Sequence, residues 1–146
     1  MSSVKRVLLV EDNPGDVCIL RIALKQAAVD CELTVLKDGE EALTYVRRAA
    51  KYADAECPDL AILDMTLPKH DAAEILTAMR SSEKMSHVRA VIMTSLASPQ
   101  ELTRVRKLGI EAEIVKPGNL DDFLQVGVLL KSILFQQPKA LRAHGD

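Results

Sequence analysis

Val7-Leu8-Leu9-Val10-Glu11-Asp12 and Leu60-Ala61-Ile62-Leu63-Asp64 share one plan, in which unbroken apolar residues run directly into acid. A strand that is apolar at successive rather than alternate positions is covered on both faces, the condition of a parallel strand flanked by helices. Working outward from these two runs, which extend over 6–10 and 59–64, three more follow at 32–36, 90–94 and 112–116. Longer segments of helical period separate them. The alternation predicts an α/β domain with a doubly wound parallel sheet.

The intervening segments carry helix signals. Val17, Leu20, Leu24 and Ala27 recur at helical spacing after Asn13-Pro14, where Asn caps and Pro suits the first turn. A later helix is expected over 71–80, another opens at Ser98-Pro99, and Asn119 precedes a terminal helix over about 120–135. The stretch 40–57 is longer than one helix needs, and predicts a helix followed by irregular chain ending at Pro58. Around the terminal helix, Val126, Val128, Leu129, Leu130, Ile133, Leu134 and Phe135 cover much of the circumference. Apolar surface left over in a monomer points to a homodimer through this helix or its neighbours. Residues 5–135 are read as one domain and 136–146, polar with Pro138 and Gly145, as a flexible tail.

Composition sets the outer bounds. With 146 residues, 48% of them hydrophobic, the chain can bury a core without disulfides or structural metal. Lysine and arginine number 19 against 21 acids, so no basic footprint points to nucleic acid. Cys18, Cys31 and Cys57 lack paired metal or redox spacing and are expected as reduced packing residues. No signal-peptide plan or membrane-length apolar run is present, which predicts a cytoplasmic protein.

In doubly wound sheets, ligands gather beyond the carboxyl ends of the strands. The first run ends in Glu11-Asp12, the third in Asp64, the fourth in Thr94-Ser95 and the fifth in Lys116-Pro117. If the first and third strands are neighbours, three carboxylates share a pocket and repel one another. One Mg²⁺ together with the Lys116 ammonium would balance them, and Mg²⁺ prefers carboxylate, water and phosphate oxygens. Asp64 could then attack a phosphoryl group, its charge stabilised by Mg²⁺ and Lys116, while Thr94 donates a hydrogen bond to the product. Taken singly, each residue has a plainer explanation: acids complement a helix dipole, Asp64 caps a turn, Thr94 satisfies backbone, and Lys116 is solvated. Their joint placement at successive strand ends favours the chemical reading.

Carried by these residues, the chain resembles the receiver domain of two-component response regulators over roughly 5–135. The resemblance implies a flavodoxin-like five-stranded sheet in order 2-1-3-4-5. It implies Mg²⁺ bound by Asp12, Asp64 and the backbone carbonyl of Thr66, with Glu11 assisting. Asp64 would be phosphorylated by a sensor histidine kinase, Thr94 would sense the phosphoryl group, and Lys116 would contact it before a cis bond to Pro117. Val10-Glu11-Asp12-Asn13-Pro14-Gly15-Asp16, Leu67-Pro68-Lys69 and the long segment before Pro58 look most like phytochrome-associated single-domain receivers, so the kinase expected is a bacterial phytochrome.

Two positions depart from the pattern. Glu113 stands where many receivers carry a switching Tyr or Phe, with Arg104 or Arg106 as candidate partners, and Ala72 stands where a Gly is usual. Thr66 and Leu96 fall where side chains tune water access to the phosphoaspartate, and Leu96 predicts slow loss.

The expected function is a stand-alone response regulator that signals through phosphorylation-dependent protein contacts and catalyses only its own phosphoryl transfer and loss. The alternatives are a phosphorylation-independent interaction module of receiver shape and a Mg²⁺-dependent phosphohydrolase. The second needs Asp-x-Asp, and Thr66 removes its general acid. A flavin module would need a Ser/Thr/Gly-rich phosphate loop where Glu11-Asp12 stands. His70, His87 and His144 receive no chemical role.

Overall fold

Residues 4–48, 52–67, 69–95 and 98–136 are described in the computed structural model, so Pro68, Leu96 and residues 137–146 of the tail lie outside the described residues. Five strands alternate with five helices: β1 (Lys5–Val10), α1 (Pro14–Gln26), β2 (Cys31–Leu36), α2 (Gly39–Val46), β3 (Leu60–Asp64), α3 (Ala72–Ser81), β4 (Arg89–Thr94), α4 (Pro99–Lys107), β5 (Ala112–Val115) and α5 (Leu120–Leu134). The sheet is parallel throughout, in the order β2-β1-β3-β4-β5. β2 lies to one side of β1 and β3 to the other, so the winding reverses at β1 and opens a crevice at the carboxyl ends of β1 and β3.

The apolar strands divide their side chains between two cores. Leu8, Val10, Ala61, Leu63 and Ile92 pack toward α2 and α3, while Val7, Leu9, Leu60, Ile62 and Val91 pack toward α1 and α5. β3 is buried at all five positions, as its unbroken run requires. On the second face, Gly127 of α5 lies against Ala23 of α1 so closely that an added Cβ would stand 2.2 Å from the Ala23 carbonyl oxygen.

The helix starts follow their caps. Asn13 accepts from the Gly15 and Asp16 amides, Ser98 and Glu101 form a capping box, and Asn119 accepts from the Asp122 amide. Residues 52–58 run as turns and irregular chain to Pro58, and the Tyr45 and Tyr52 rings meet edge to face at 5.1 Å. Val128, Leu129 and Phe135 remain exposed on and just beyond α5, together with Leu120 at its start and Val115 on β5.

Three expectations need correction or refinement. No peptide bond among the described residues is cis, so Lys116-Pro117 is trans, the isomer that X-Pro bonds favour by about 0.5–1 kcal/mol. Cys18 is exposed rather than packed, because α1 turns it to solvent, whereas Cys31 and Cys57 are half-buried. Ala72 occupies the first turn of α3, fully buried behind an Asp71–Glu74 capping box, and needs no left-handed backbone. That conformation falls instead on Lys69, at φ 74°.

Candidate functional site

Register brings the acids together. Val10 of β1 pairs with Leu63 of β3, so Glu11 and Asp64 leave neighbouring strands at one level. Glu11, Asp12 and Asp64 each offer a carboxylate oxygen within 4.8 Å of the others. Glu11 and Asp64 are only 4% and 2% exposed, and Asp12 faces solvent. Lys116, just past β5, sends its ammonium into the pocket: Nζ donates to Glu11 Oε1 at 2.7 Å, Asp16 Oδ2 at 2.8 Å and Asp64 Oδ2 at 3.0 Å. The other Asp64 oxygen, Oδ1, accepts from the Thr66 amide at 3.0 Å and the Thr66 hydroxyl at 3.2 Å.

β4 supplies the remaining predicted residue. Thr94 is buried, and its Oγ1 has no hydrogen-bond partner. Its backbone is fixed, since the Lys116 amide donates to the Thr94 carbonyl at 2.7 Å and so locks the β4 and β5 ends side by side. A buried hydroxyl without a partner is costly, and here it ends the strand beside the one carrying Asp64.

Burial above all, reinforced by a hydrogen bond to Asp64 and its charge, pushes the Glu11 carboxyl up to about 7, against the opposing pull of Lys116 and the Asn13 amide. Burial alone would lower the Lys116 ammonium, but Asp16, Glu11 and Asp64 outweigh it and hold it above the ordinary lysine range. The pocket therefore carries more negative charge than one lysine offsets.

Its donor set is entirely oxygen, which suits a hard divalent cation.

The structure thus brings Glu11, Asp12, Asp64 and Lys116 into one pocket, sets Thr66 against Asp64, and places Thr94 at the adjoining strand end. Sequence reasoning missed Asp16. It lies on α1 rather than at a strand end, and its only signal was helical spacing, four residues beyond Asp12 on the turn that Asn13 caps.

The family model for the response regulator receiver domain matches residues 7–126. The chain belongs to that family. The receiver domain is 28% identical over 122 residues to response regulator Rcp1 of a Synechocystis strain, covering 84% of this chain and 83% of Rcp1. Among solved structures, the phosphorylated cyanobacterial phytochrome response regulator RcpA is similar at TM-score 0.84 and 29% identity, over 92% of this chain and 96% of that one. The Mn²⁺-bound form of Rcp1 is similar at TM-score 0.82 and 26% identity, over 91% and 96% of the two chains. The receiver domain's sheet order and ten-element succession are those its sequence predicts. No helix among its described residues is long and apolar enough to cross a membrane.

Proposed function

We propose that this receiver domain accepts a phosphoryl group on Asp64 from the phosphohistidine of a sensor histidine kinase and signals in the cytoplasm through protein contacts. The observation that carries the reading is Asp64 itself: a buried carboxylate at a strand end, bonded to the Lys116 ammonium and grouped with Glu11 and Asp12. Similarity to phytochrome response regulators supports a phytochrome as the kinase.

Asp12, Asp64 and the Thr66 backbone carbonyl would hold Mg²⁺, with Glu11 assisting. When bound, the ion neutralises phosphoryl oxygens. Asp64 supplies the attacking carboxylate oxygen: an O–P bond forms, the P–N bond to the kinase imidazole breaks, and the imidazole leaves with the bonding pair. In the acyl phosphate the Asp64 carboxyl is a neutral mixed anhydride and the negative charge sits on the phosphoryl oxygens, to which the freed Lys116 N–H groups turn. Thr94, whose hydroxyl has no partner, donates to the same group and so shifts the β4 end.

The test is intact-mass measurement after incubation with a small acyl phosphate and Mg²⁺. One added phosphoryl group is expected in the wild type and none in Asp64→Asn, and equal labelling of both proteins would refute the assignment.

The output surface centres on the end of the sheet that carries β5 and α5. Val115 is 68% exposed, and Leu120, Val128 and Phe135 are each more than half exposed. Such apolar exposure supports a homodimer through the α5 region. Sedimentation velocity across a concentration series should show mass increasing, and a concentration-independent monomer would count against it.

A further inference from the structure

An ammonium group has three N–H donors, and in this protein carboxylates take all three. Two of those partners have other work in the phosphorylated, metal-loaded site. Asp64 becomes the acyl phosphate, and Glu11 belongs to the acidic cluster suited to a cation. Asp16 belongs to neither set. It stands outside the cluster, on the first turn of α1, and among the described residues Lys116 is the only side chain with which it makes a hydrogen bond.

The local sequence explains how it is held there. Asn13 Oδ1 accepts from the Gly15 and Asp16 amides at 2.8 Å and 3.3 Å, so the cap fixes the backbone of Asp16 as it starts the helix. Pro14 supplies a preset φ at the first helical position. At Gly15 an added Cβ would sit 3.2 Å from the capping oxygen, so the absence of a side chain keeps the cap uncrowded. The stretch Asn13-Pro14-Gly15-Asp16 therefore aims one carboxylate at Lys116 from a rigid helix start.

We propose that Asp16 is a positioning residue for phosphorylation: it anchors the Lys116 ammonium from α1, so that the other two donors can pass from Glu11 and Asp64 to phosphoryl oxygens without the side chain swinging away. The inference rests on the reading of Asp64 as phosphoacceptor. Its physical basis is preorganisation, since an unanchored four-carbon stem must be ordered during the reaction whereas an anchored one has been ordered by folding. Asp16 has little competing demand on it, being half-buried and outside the cluster.

The experiment measures the rate of labelling by a small acyl phosphate, which bypasses kinase docking, in wild type, Asp16→Ala, Asp16→Asn and Asp64→Asn. Asp16→Ala is expected to lower the maximal rate about tenfold, equivalent to about 1.4 kcal/mol of barrier. The Mg²⁺ and phosphodonor concentrations giving half-maximal rate should remain at wild-type values. Asp16→Asn, whose amide oxygen still accepts from Nζ, should recover most of the rate. A wild-type or faster maximal rate in Asp16→Ala overturns the inference, as does an equal loss in Asp16→Asn, which would indicate charge rather than anchoring. Labelling of Asp64→Asn at the wild-type rate is the separate result that defeats the phosphoacceptor reading itself.

Discussion

Arg106 on α4 grips Glu113 on β5 with both arms of its guanidinium, Nη2 donating to Oε1 at 2.7 Å and Nε to Oε2. The clamp joins Glu113 to one of the two arginines, Arg104 and Arg106, that the sequence offered as its partner. It joins α4 to β5 directly, and a second arginine on the same helix, Arg104, faces Asp71 at the start of α3 with 3.7 Å between charged atoms. Both pairs are well exposed and screened by water, so they orient α4 more than they stabilise the fold. Glu113→Gln should leave the thermal midpoint within error of wild type while quickening hydrogen exchange over 99–107. A large drop in midpoint would show that the clamp is structural.

Glu11 links the site to pH. Its folded-state pKa is raised from the ordinary 4.5 to about 7, so the folded protein binds this proton more tightly than the unfolded chain does. The resulting stability is full below pH 4.5 and is lost as pH rises through about 7. Metal binding prefers the ionised acid and expels the proton. The thermal-midpoint gain from Mg²⁺ should therefore be larger at about pH 8 than at about pH 6. An equal gain at both values would mean that Glu11 ionisation is not coupled to the metal.

Removing Lys116 leaves Glu11 and Asp64 facing each other in a buried pocket without their cation. Breaking a buried pair at one partner costs about 3–5 kcal/mol. In urea without metal, Lys116→Met should unfold at a clearly lower midpoint than wild type, and Mg²⁺ should recover more stability for the variant than for wild type. Equal recovery would show that lysine and metal do not share the task of neutralising these acids.

The strand ends were legible because unbroken apolar runs stop at polar residues, and each observed strand boundary falls within a residue of its expected place. Glu11, Asp12, Asp64, Thr94 and Lys116 were visible for that reason. Asp16 was not, since it reaches the pocket sideways from a helix, across a contact between residues 100 apart in the chain. Of Glu113's two candidate partners, the sequence offered no means of choosing. Arg106 wins because it is near the end of α4, just before the turn into β5. Ala72 also could not be judged in advance: its backbone is helical, and the left-handed turn is displaced to Lys69.

Thr94 is a stability liability in the resting site. Its Oγ1 is buried without a partner, which costs about 1–3 kcal/mol relative to an apolar group of the same shape. Thr94→Val keeps the shape and removes the hydroxyl, so the unphosphorylated variant should melt higher than wild type. The proposed response to phosphorylation should be lost with it, seen as loss of phosphorylation-dependent amide shifts in β4. Retention of those shifts would remove Thr94 from the switch.

The α1–α5 contact offers the sharpest test of packing on the site's flank. An added Cβ on Gly127 would meet the backbone oxygen and carbon of Ala23 at 2.2 Å and 2.5 Å, and backbone inside a helix cannot rotate aside as a side chain would. Gly127→Ala must therefore push α5 away from α1, opening the layer where Phe123, Val126 and Leu130 pack against Leu20 and Leu24. Overpacking of this kind costs about 1–3 kcal/mol, although alanine is intrinsically the better helix former by about 1 kcal/mol. The clash should win, because a few tenths of an ångström would not relieve it. A lower urea midpoint with an unchanged slope is the expected result, and a midpoint at or above wild type would mean that the two helices separate freely.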